Sequence, residues 1–111
     1  MNNYPKTYEE CCKALNITPD DIEKNIKVKY GSEALKNYQR VIVCRDAYRS
    51  THDIEKYGLP EKRYIINVVK GKLVKEVTTD VSFSLSFYTE KMRDAFYDNF
   101  KDDILNIIDI L

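Results

Sequence analysis

The chain has 111 residues, of which 43% are apolar and 32% charged, and its formal net charge is zero. That length supports one core without a metal or disulfide staple, so residues 1–111 read as a single domain. The charge balance excludes a globally basic duplex binder, and no apolar run approaches the ~20 residues of a membrane span. The opening MNNYPKTYEE lacks a signal-peptide core. Cys11, Cys12 and Cys44 are odd in number and two are adjacent, which suits reduced thiols better than a disulfide framework. The expected location is the cytoplasm.

The first helix is predicted over Tyr8 to Leu15. Thr7 and Glu10 have capping-box spacing, so each side chain can serve the other's backbone amide. Thr18-Pro19, followed by Asp20, Asp21 and Glu23, signals the start of a short second helix. Gly31 is a break, and Ser32 caps a third helix over Glu33 to Ser50. On that helix Ala34, Leu35, Tyr38, Val41, Ile42 and Tyr48 share an apolar arc, and Arg45 and Arg49 fall inside it. The run RVIVC also resembles a buried strand, but the helical period extends too far for one.

Thr51 to Glu61 reads as a loop with Gly58 and Pro60 as breakers. Arg63 to Val69 is rich in β-branched and aromatic residues, and Lys70-Gly71-Lys72 forms a hairpin turn into a second strand over Leu73 to Thr78. Asp80 marks the next turn. In VSFSLSF, Val81, Phe83, Leu85 and Phe87 alternate with Ser82, Ser84 and Ser86, predicting a third strand with its serine face in water. Thr89 caps a final helix from Glu90 to about Ile110, with Met92, Phe96, Phe100, Ile104, Ile107, Ile108 and Leu111 as its apolar stripe. The expected fold is α+β: a three-stranded antiparallel meander with N-terminal helices and a long C-terminal helix on one face, in the order α-α-α-β-β-β-α.

The segments KTYEECCKALNI, YQRVIVCRDAYR and FSLSFYTEKMRDAFYDNF together cover about two-thirds of the chain. They resemble a family of short proteins from Bacteroidetes and their phages, which has no assigned activity. The resemblance rests on an opening T-Y-E helix and a closing serine-aromatic strand that runs into an F-x-T-x-x-M helix, matched here by Phe87, Thr89, Met92, Phe96 and Phe100. Central-loop tryptophans of that family are absent, with Tyr57 and Tyr64 the nearest aromatics. The resemblance implies a fold and a source, and hence the host cytoplasm for a phage-encoded chain. It transfers no catalytic residue.

The residues themselves offer little chemistry. Cys11, Cys12, Cys44 and His52 are zinc-ligand types, but adjacent residues on a helix point ~100° apart, so the cysteine pair is a poor clamp. One of the pair is expected to be buried and the other half-exposed. A Cys44–His52 thiol pair is the only enzyme reading, and no nucleophile motif flanks it. We therefore expect no enzyme, no catalytic or metal site and no cofactor.

Charge is polarised. Residues 24–49 carry +5 and residues 80–111 carry −4. The basic segment makes Lys27, Lys29, Lys36 and Arg40 candidate nucleic-acid contacts, although mutual neutralisation across the fold is the favoured reading. Arg45 or Arg49, oddly placed on the apolar arc, is expected to pair with Asp103, the acid within the last helix's apolar arc. Like charges at Asp94, Asp98 and Asp102 cost a helix about 0.2–0.5 kcal/mol per pair, so this ridge is either a solvated face or a docking edge. Together with Tyr88 and Tyr97 it supplies the candidate partner contacts. The apolar end ILNIIDIL either completes the core or leaves surface for a second copy or a partner. The resulting expectation is a small accessory or adaptor protein of phage or mobile-element type that works through protein–protein contact. Nucleic-acid binding by Lys24–Arg49 is the alternative, and membrane association is not expected.

Overall fold

A computed structural model describes residues 4–18 and 32–111. The predicted second helix lies outside the described residues. Helix α1 spans Tyr8–Ala14, α2 spans Ser32–Arg49 and a one-turn helix α3 spans Ile54–Tyr57. Strands β1 (Arg63–Val69), β2 (Lys72–Thr78) and β3 (Ser86–Phe87) follow. Helix α4 covers Glu90–Leu105, and a 3-10 turn over Ile108–Ile110 follows it.

Caps set the helix starts. Thr7 Oγ1 accepts from the Glu10 amide at 3.1 Å, while Glu10 reaches past Thr7 to accept from the Lys6 amide at 3.1 Å. The reciprocal half of the expected capping box therefore falls one residue early. Thr89 Oγ1 accepts from the Met92 amide and starts α4. The predicted final helix is shorter than expected and is interrupted at Phe100, which has φ −126° and ψ 17°.

The fold is α+β with a three-stranded antiparallel sheet, but its order is β2-β1-β3, so it is not a meander. The hairpin itself forms as expected. Lys70 (φ 52°) and Gly71 (φ 75°) make a two-residue turn with both φ values positive, matching the right-handed twist of the strands. The third strand then lies on the far side of β1, where Tyr64 opposes Phe87 and Ile65 opposes Ser86. β3 is thus the second edge strand, and Leu85 and Phe87 are buried there in the core cluster with residues of α2 and α4. The exposed residues Lys72, Lys75 and Glu76 suit β2 to an edge.

The core is organised on Tyr48 of α2, which is fully buried. Its ring stacks on Tyr4 with centroids 4.9 Å apart and meets Phe96 and Phe100 edge-on at 5.1 and 5.9 Å. Its hydroxyl donates to the Pro5 carbonyl at 2.6 Å and accepts from Asn99 Nδ2 at 2.9 Å. One side chain thus joins the segment before α1 to α2 and α4, and each aromatic pair adds about 0.5–1.5 kcal/mol beyond its buried area. Val41, Cys44, Ala47 and Tyr48 line the buried side of α2, while Ala34 is exposed and not on it. Ile104 and Ile107 complete the core; Leu105, Ile110 and Leu111 remain exposed.

Candidate contact surface

The arginines inside the apolar arc of α2 have partners, but not Asp103. Arg45 Nη1 donates to the Ser84 carbonyl at 2.8 Å, and its guanidinium pairs with Asp46 at 2.8 Å. Arg49 Nε donates to the Ser86 carbonyl at 2.9 Å and Nη2 to Ser86 Oγ. These donors take part of the expected serine face out of water, and of the predicted strand only Ser86–Phe87 forms, with Leu85 and Phe87 buried as expected. Ser86 is buried, Ser84 is half-buried with its hydroxyl 3.3 Å from that of Tyr38, and Val81, expected inside, is 65% exposed. Burial and the nearby Arg45 lower the pKa of Arg49, which still remains the cation.

A further arginine, Arg93, is buried outright and gave no sequence signal. It is 6% exposed, donates to the Glu76 carbonyl at 3.1 Å, pairs with Asp94 at 3.0 Å and lies 5.6 Å over the Tyr64 ring.

All three cysteines are buried, including both Cys11 and Cys12. A hydrogen bond with Cys11, then burial, pushes the Cys44 thiol pKa upward, the wrong direction for a nucleophile. His52 faces elsewhere. Its Nε2 lies 2.8 Å from the Gly58 carbonyl, so that nitrogen carries a proton and donates it. The ring packs 4.9 Å from Tyr88. Among the described residues no group of three or more His, Cys, Asp or Glu residues converges on a metal position.

Of the candidate nucleic-acid contacts, Lys27 and Lys29 lie outside the described residues. Lys36 is half-buried, and Arg40 is exposed with its guanidinium 5.3 Å over the Tyr8 ring. Arg40 and Asp103 face a cavity of about 410 Å³ between α1, α2 and α4, which Tyr8, Cys44 and Phe100 also line. Partial desolvation and the neighbouring Asp102 raise the Asp103 pKa, and attraction to Arg40 offsets part of that rise.

The candidate partner contacts are unequally occupied. Tyr88 sits beneath the guanidinium groups of Arg49 and Arg63, at 5.9 and 5.3 Å. Tyr97 lies between the ammonium groups of Lys75 and Lys101, at 4.7 and 5.5 Å. Asp94 binds Arg93 and Lys75; burial opposes its carboxylate, but these two bonds prevail and its pKa is lowered. Asp98 and Asp102 are exposed.

The most exposed run of large apolar residues along the chain lies in the segment expected to be plain loop. Ile54, Tyr57 and Leu59 are 49%, 68% and 58% exposed. The segment is held firmly. Asp53 Oδ1 accepts from the Lys56 amide at 3.0 Å, the Gly58 amide (φ 70°) closes on the Ile54 carbonyl at 2.7 Å, and His52 fixes the Gly58 carbonyl. Arg63 donates to the Pro60 carbonyl just beyond. An Asp cap five residues before a glycine was the readable sign of this helical turn. Beside it is a cleft of about 550 Å³ lined by Tyr4, His52, Tyr57, Tyr88 and Lys91.

No described helix is long and apolar enough to cross a membrane. Comparisons of the chain with protein-family models, curated proteins and solved structures returned no match.

Proposed function

We propose that this chain is a small accessory or adaptor protein, of the phage or mobile-element type that its sequence resemblance suggests, acting in the cytoplasm by protein–protein contact. The observation that carries this reading is the Ile54–Tyr57–Leu59 surface. Three large apolar side chains stand in solvent on a turn that caps and hydrogen bonds already hold in place. Burying them releases water from apolar area, and because the turn is pre-ordered, association loses little loop entropy. A tyrosine with aliphatic neighbours is also the composition of an interface centre. Asp98 and Asp102 are the exposed remainder of the acidic ridge and offer a second, polar contact.

The test is affinity capture from the source cell with the parent chain and with Tyr57→Ser/Leu59→Ser, whose changes lie on exposed positions. A protein retained in stoichiometric amount by the parent and lost with the variant supports the reading. Identical retention by both overturns it. A shift of labelled single- or double-stranded nucleic acid at low salt, abolished by Lys36→Glu/Arg40→Glu, moves the assignment to the nucleic-acid alternative.

A further inference from the structure

The sheet order leaves β2 at an edge, and among the described residues no strand pairs with its outer side. β2 is seven residues long and contains no proline or glycine to spoil further pairing. The two-residue turn makes Val69 and Lys72 a mutually bonded pair, and bonded pairs then alternate along the hairpin. Leu73, Lys75 and Val77 therefore direct their amides and carbonyls away from β1, towards the open edge.

We propose that this edge pairs with the β2 edge of a second copy of the chain, antiparallel about a two-fold axis through Val74, giving a continuous six-stranded sheet. A two-fold axis perpendicular to a sheet keeps each side chain on its own face, so only residues of equal parity can oppose each other. Centring on Lys75 places two ammonium groups opposite each other, and centring on Glu76 does the same with two carboxylates. Centring on Val74 places Lys72 opposite Glu76 of the second copy, twice by symmetry, with Val74 against Val74 between them. Leu73 and Lys75 then exchange backbone bonds across the axis. Lys72 and Glu76 are exposed, and the Asn67 side chain steadies Glu76 at 2.8 Å on the same face. The Lys75 side chain lies on the other face, bound to Asp94 at 3.2 Å, and does not compete. The strand is thus charge-complementary to itself in the Val74-centred register, whereas the Lys75- and Glu76-centred registers set like charges against each other.

Charge reversal in pairs tests this without touching the core. Lys72→Glu opposes carboxylates at both symmetric positions, and Glu76→Lys opposes ammonium groups. Each is expected to weaken self-association about tenfold in sedimentation equilibrium at low salt. A one-to-one mixture of the two variants restores both Lys–Glu pairs and is expected to form a heterodimer with the parent's affinity. Circular dichroism confirms that each variant is folded. The proposal is overturned if the parent stays monomeric at all accessible concentrations, if either single variant associates as tightly as the parent, or if the mixture fails to recover. Because Tyr57 and Leu59 are untouched, loss of self-association with partner capture intact separates this edge from the proposed contact surface.

Discussion

Replacing Arg49 with methionine keeps most of the side-chain volume and removes both donors from Ser86. Ser86 is 1% exposed, so its hydroxyl and carbonyl lose bonds that water does not readily replace. A hydrogen bond from a charged donor contributes about 1.5–3 kcal/mol, and the lower end applies because Arg49 itself is half-buried. The variant is therefore expected to lose about 2–4 kcal/mol. That is a large share of the roughly 5–15 kcal/mol typical of a domain this size, and it lowers Tm by about 10 °C or more. Urea unfolding followed by circular dichroism measures it, with Ser86→Ala and the double variant closing a cycle. A coupling of about 1–2 kcal/mol between the two positions is expected. A loss under about 0.5 kcal/mol for Arg49→Met, or a coupling indistinguishable from zero, would refute the claim that arginine donors make the serine face burial-competent.

Stability is expected to fall in alkali. The fold holds the Cys12, Cys44 and Tyr48 protons more tightly than the unfolded chain, Tyr48 being pushed up to about 12, chiefly by burial. Their contribution is complete below the unfolded pKa values, roughly 8.5 for thiols and 10 for tyrosine, and is withdrawn as pH rises through and beyond them. Urea midpoints between pH 7 and 11 check the direction, and a flat profile contradicts it. Asp103 has the same sign at lower pH. Its raised pKa means that the carboxylate opposes folding at neutral pH, so Asp103→Asn should raise the urea midpoint at pH 7 and lose that advantage below about pH 4. All three thiols are expected to resist Ellman's reagent in the native protein and to react on unfolding; rapid native reaction of any one contradicts their burial. At the hairpin, Lys70 holds φ 52°, a conformation asparagine adopts more readily, so Lys70→Asn should stabilise by about 0.5 kcal/mol in the same urea assay.

Local features were legible. The extent of α2, the caps at Thr7 and Thr89 and the turn at Gly71 each depend on residues a few positions apart. The strand order was not, because the alternation of VSFSLSF is the same whether its neighbour is β1 or β2. The two oddities in the sequence, arginines on an apolar arc and serines on a strand, were each visible. Their match was not, since Arg45 meets Ser84 across 39 positions and Arg49 meets Ser86 across 37. Asp103 attracted the pairing argument because an acid was sought, whereas carbonyl and hydroxyl oxygens accept equally well from a guanidinium. The break in α4 at Phe100 has no proline or glycine to announce it. In Thr51–Glu61 the breakers Gly58 and Pro60 hide the bulky residues from a periodicity argument, although Asp53 and Gly58 together specify one helical turn.

The central claim is that Ile54, Tyr57 and Leu59 meet a protein partner. The most direct measurement places a photo-cross-linking amino acid at position 57 and, as a control, at exposed position 33, in the cell that makes the protein. The account predicts a discrete cross-linked protein from position 57 that is absent from position 33 and disappears when Leu59 is changed to serine. No discrete product from position 57, or the same products from both positions, would contradict it.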